Sequence, residues 1–141
     1  MPSFAEHTHA SLARLATEGA DALRIADSAV AVWRELDAAL SPIIGLRGVA
    51  ALFKRSLLLT APGHPSLVAA HWVVETQGDF DSLRASLKQQ SVASAIATNG
   101  ALLQQFVDLL TNLIGESLTE RLLQSVLDNP PGHASVQEPS S

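Results

Sequence analysis

From Asp21 to Leu40 the apolar residues Ile25, Ala29, Val32, Trp33, Leu36 and Leu40 recur at i, i+4, i+7, i+8, i+11 and i+15. Arg24, Asp27, Ser28, Arg34 and Glu35 fall on the other side. A strand changes face every second residue and a helix every 3.6, so this spacing admits only an amphipathic helix. A second stripe follows Ser91: Val92, Ile96, Leu103, Phe106, Val107, Leu110 and Ile114. Ser94, Gln104, Gln105, Asp108 and Asn112 lie away from it, and Ser91 is the residue type that caps such a helix.

Shorter signals fill the gaps. Ser3 three residues before Glu6 is a capping-box pattern for a helix that runs towards Gly19. Residues 79–90 read as a short helix with Phe80, Leu83 and Leu87 inward. "SLVAAHWVVETQG" (66–78) mixes β-branched residues with helical spacing and is read as a short helix. No convincing strand appears. The expected fold class is all-α, a compact bundle of about five to six helices, two or three of them long. Residues 1–128 make one domain, and "NPPGHASVQEPSS" (129–141) has the composition of a disordered C-terminal tail. No internal repeat of useful length stands out, since "PIIG" and "NLIG" are short.

The stretch "SPIIGLRGVAALFKRSLLLT" (41–60) poses the harder question. Ser41 as N-cap and Pro42 at the first helical position predict a new helix, ended near Thr60 by Pro62, Gly63 and Pro65. On a wheel Leu46, Val49, Phe53 and Leu57 form its main apolar face. Gly45 and Gly48 are expected to form a notch against another helix backbone, because each costs about 1 kcal/mol relative to alanine inside a helix. Arg47, Lys54 and Arg55 then snorkel, or Arg47 or Arg55 pairs with Glu116 or Glu120 within a subunit or across a dimer. Asn99, in an apolar stripe, needs a hydrogen-bond partner in the core or at a subunit interface. After Ile114 the apolar pattern changes phase: "SLTE" (117–120) predicts a helix that starts at Ser117 and folds back, the alternative being a continuous helix that switches partners at Gly115.

Composition narrows the function. Hydrophobic residues are 47% of the chain and charged residues 16%, sparse enough that some nominal surface is expected to be covered by another subunit. A net charge of −5 with only nine scattered Lys and Arg argues against nucleic acid. The absence of cysteine weighs against disulfide scaffolds and thiolate zinc sites. No signal peptide or membrane span is read from the sequence, so the expected location is cytoplasmic.

For chemistry the candidates are few. His7 and His9 sit on different sides of a helix, and His64 and His71 are seven apart across a Pro-Gly loop, so no metal is expected. "AAHWVVETQG" (69–78) resembles the phosphoacceptor region of histidine phosphotransfer domains, helical bundles of similar size. In that family the histidine is followed by Leu, Lys and Gly at the second to fourth positions, whereas His71 is followed there by Val73, Val74 and Glu75. No nucleophile, base and orienting acid form a recognisable set.

The expectation is a non-enzymatic, cofactor-free helical interaction or regulatory protein. It would be a bacterial signalling-associated homodimer acting through helix–helix contacts, with another regulatory protein as a further partner. Its interface candidates are Gly45, Gly48, Arg47, Arg55, Asn99, Glu116 and Glu120. The alternative is a small-molecule or cofactor-binding sensor, globin-like with His71 as haem ligand or phosphotransfer-like. Its pocket would lie near Trp33, Phe53, His71 and Trp72.

Overall fold

A computed structural model describes residues 4–64 and 80–128 of the chain. The expected helix at 66–78, with His71 and Trp72, and the expected tail at 129–141 lie outside the described residues. Within them the protein is all-α. The helices are α1 (Phe4–Thr17), α2 (Ala22–Thr60), α3 (Asp81–Lys88), α4 (Val92–Ile114) and α5 (Glu116–Asp128), with a 3₁₀ turn at Ala61–Gly63 closing α2. No strand occurs among the described residues.

The long helix is not straight. Gly45 has φ 84° and ψ 158°, and this splits α2 into an arm of residues 22–44 and an arm of residues 46–60. That backbone region is open essentially to glycine alone. The break therefore falls at Gly45 and not at Ser41-Pro42, as the sequence pattern suggested. Pro42 lies inside the first arm, three residues before the corner, where it removes the i→i−4 bond to the Ala38 carbonyl. Ser41 is not a cap: its Oγ donates back to the Asp37 carbonyl at 2.7 Å.

The same device recurs. A shift of 70 residues carries Asp21 to Ser91, Ser41 to Thr111 and Gly45 to Gly115. Asp21 Oδ1 accepts from the Arg24 N–H at 3.0 Å, and Ser91 Oγ from the Ser94 N–H at 3.1 Å. Thr111 Oγ1 donates to the Val107 carbonyl at 2.8 Å, as Ser41 does to Asp37. Gly115 has φ 92° and ψ 157°. Residues 33–49 and 103–119 carry the same burial class position by position. The chain is thus two helix–corner–helix units, and "IIG" and "LIG" mark their corners, which corrects the expectation of no repeat. At the second corner α5 begins at Glu116, one residue before the predicted Ser117, and Thr119 bonds back to the Gly115 carbonyl through both N–H and Oγ1.

The first arm of α2 and α4 make the central contact of the fold, and each unit's leading helix crosses to the other unit. α1 packs mainly on α4, and α3 mainly on α2. Arg84 on α3 pairs with Asp27 on α2, and Arg34 with Asp81 at 3.7 Å. All four side chains are partly or largely exposed, so the pairs add little stability. The core is aromatic at its centre. Trp33 meets Phe53 and Phe106 edge-on at centroid distances of 5.1 Å, and Phe80 closes on Phe53 at 5.0 Å. Phe80, Leu83 and Leu87 are buried, as the short-helix reading expects.

Candidate functional site

The second arm carries the most unusual surface of the molecule. Val49, Phe53, Ser56, Leu57 and Thr60 are buried and define its inner face. On the outer side Arg47, Ala51 and Arg55 are exposed, and Leu58 is 52% exposed beside Leu59. Leu46, expected on the inner face, is 53% exposed, and Ile43 just ahead of the corner is 49% exposed.

Charge is segregated here as well. Between Asp37 and Glu75 the sequence contains no aspartate or glutamate, yet it holds Arg47, Lys54 and Arg55. A chain of net charge −5 therefore has a local excess of cations on one arm. Among the described residues none of the three pairs with a carboxylate. Glu116 and Glu120, exposed on α5, likewise have no ion pair among them. The intramolecular pairing considered from sequence is not formed. The long stems remain at the surface with their charges in water.

Among the described residues of one chain, no other helix packs into the expected glycine notch. A side chain added at Gly45 would meet nothing within 4 Å; the residue is there for its backbone angle. At Gly48 an added Cβ would meet the Ile44 side chain at 3.2 Å. Gly48 thus makes room for a residue of the same chain, folded over the corner. Asn99 is buried, and its Oδ1 accepts from Trp33 Nε1 at 2.9 Å. This sets the register of α2 on α4 inside the core.

The aromatic pocket of the alternative reading is only partly described. Trp33 and Phe53 are 1% and 2% exposed, and their rings are occupied with one another and with Phe80 and Phe106. These two side chains are spent on packing. A groove of about 460 Å³ lies elsewhere, between α1, the first arm of α2 and the end of α5. Phe4, Leu12, Val32 and Val126 give it apolar walls, and His7, Ser11, Asp27 and Ser28 a polar rim. Asp27 is already held by Arg84. Among the described residues no group of three His, Asp or Glu could hold a metal ion. His64 Nδ1 lies 3.2 Å from Thr98 Oγ1, tying the end of the second arm to α4.

Sequence reasoning did not single out Ile43 or Leu113 as surface residues, the latter 58% exposed. The acid-free run and the paired corners were the signals that could have found this face. The span Ala22–Gly63 is long and apolar enough by composition to cross a bilayer, and the Gly45 corner divides it. Comparison of the chain with family models, with curated proteins and with solved structures finds no match.

Proposed function

We propose that the chain is a non-enzymatic helical interaction protein that pairs with a second copy of itself, in a regulatory or signalling setting inside the cell. The observation that carries this reading is the number of large apolar side chains left exposed along the 46–60 arm and its corner. Leu46, Leu58, Leu59 and the adjoining Ile43 leave large apolar side chains in water. Full burial of such a side chain contributes about 1.5–3 kcal/mol, so covering them is strongly favourable. The dense aromatic core supports the same choice, since Trp33 and Phe53 stabilise the bundle itself. Light scattering tests the proposal: a dimer is expected at tens of micromolar, and a monomer near 14.9 kDa at high micromolar concentration would remove it.

The groove of about 460 Å³ between α1, α2 and α5 favours a second reading, a site for a small amphiphilic molecule. Mass spectrometry of the protein purified under native conditions separates the two. A stoichiometric small molecule lost on Leu12→Trp would support the sensor reading; apo protein in dimer form supports the first.

A further inference from the structure

We infer that the cationic outer face of the 46–60 arm docks on α5 of a second copy, with Arg47 and Arg55 opposite Glu116 and Glu120. The inference rests on the self-association proposed above and names its geometry. All four side chains belong to exposed residues, and none has an ion pair among the described residues. Two complementary sets of charge therefore stand open on one chain, and another molecule of the same chain offers both.

The internal repeat supplies a control within the molecule. The 46–60 arm and α5 are equivalent elements, each following a glycine corner, with matching burial across the corner. Their outward residues nevertheless differ: Leu46, Arg47, Ala51 and Arg55 stand where α5 has Glu116, Ser117, Arg121 and Ser125. The fold tolerates a polar face at this position, so the apolar and cationic face of the arm serves something other than folding. Arm-on-arm pairing about a two-fold axis would set Arg47, Lys54 and Arg55 against themselves, and like charges across an interface are costly. Arm-on-α5 pairing instead offers those cations two exposed carboxylates, Glu116 and Glu120, against one exposed cation, Arg121. It also brings Leu46, at the start of the arm, towards Leu113, the exposed residue just ahead of the second corner.

Two double variants of the full chain test this by sedimentation velocity: Arg47→Glu with Arg55→Glu, and Glu116→Lys with Glu120→Lys. All four positions are exposed, so circular dichroism is expected to be unchanged. Each variant alone should associate at least about tenfold more weakly than the parent, and an equimolar mixture should recover parental affinity to within about threefold. A mixture no tighter than either variant alone overturns the inference. So does an arginine-to-glutamate variant that associates as well as the parent, the result of arm-on-arm pairing. Flotation with phosphatidylglycerol vesicles covers the other anionic partner. Vesicle binding lost only in the arginine variant, with self-association intact in both, would assign the face to a lipid surface and overturn the inference. A monomeric parent removes the self-association reading itself. A dimeric parent with two insensitive variants removes this geometry alone.

Discussion

The buried bond from Trp33 Nε1 to Asn99 Oδ1 permits a quantitative test of how the two long helices are locked. In Asn99→Leu the acceptor disappears and the indole N–H is left in an apolar core. A buried donor without a partner costs about 1–3 kcal/mol, beyond the loss of the bond. In Trp33→Phe the donor goes, the Asn99 carboxamide is stranded, and the smaller ring leaves space between Phe53, Phe80 and Phe106. That change is expected to cost about 3 kcal/mol. The double variant removes both polar partners together, so it should be about 1–2 kcal/mol less destabilised than the sum of the singles. Urea unfolding at one fixed protein concentration measures all four states, with the midpoint shifting at constant m. For a chain of this length each kcal/mol moves the melting temperature by about 4 °C, an independent check. Additivity to within about 0.3 kcal/mol would show that the two side chains do not interact. The assignment of this bond as the register of α2 on α4 would then be wrong.

The corners are a second target: Gly45→Ala and Gly115→Ala should each cost about 1–3 kcal/mol, because alanine must adopt a backbone region open essentially to glycine. Gly48→Ala should cost under about 1 kcal/mol, since its better helix propensity offsets a small adjustment of Ile44; equal losses at positions 45 and 48 in thermal melts would contradict the corner. Asp21→Ala and Ser91→Ala should each lower stability by about 1 kcal/mol through loss of one cap, and a clear loss in only one would show that the two units are not capped alike. Leu58→Ser should leave monomer stability within about 0.5 kcal/mol while weakening association, and a large stability loss in dilute solution would place Leu58 in the core.

Much of the fold was legible because it depends on local chemistry. The stripes of the first arm and of α4 each face one large contact, so their period survives in the sequence, and Ser91 announces its cap. The corner at Gly45 was obscured by Ser41-Pro42, a strong local start signal that instead falls inside the last turn of the first arm. Gly48 misled for a similar reason. A small residue predicts a close approach but not what approaches, and here it is Ile44 from across the bend. The outer face of the arm was hidden because a helix apolar nearly all round has no preferred side until the corner sets its axis. The crossing of α1 to α4 and of α3 to α2 leaves no local trace at all, since it is decided by which surfaces remain uncovered after the long helices meet.

That crossing has a kinetic consequence. During synthesis α1 emerges first, but the helix it rests on is α4, made only after the whole of the first unit and α3 have appeared. The first half therefore waits with one apolar face in solvent, and long sequence separation slows the search that ends the wait. Once closed, each half holds the other's cover in place, so amides of α1 and α4 should exchange with solvent through one shared opening rather than two. Severed between residues 64 and 80, the halves should remain largely unfolded apart and regain helical structure only when mixed.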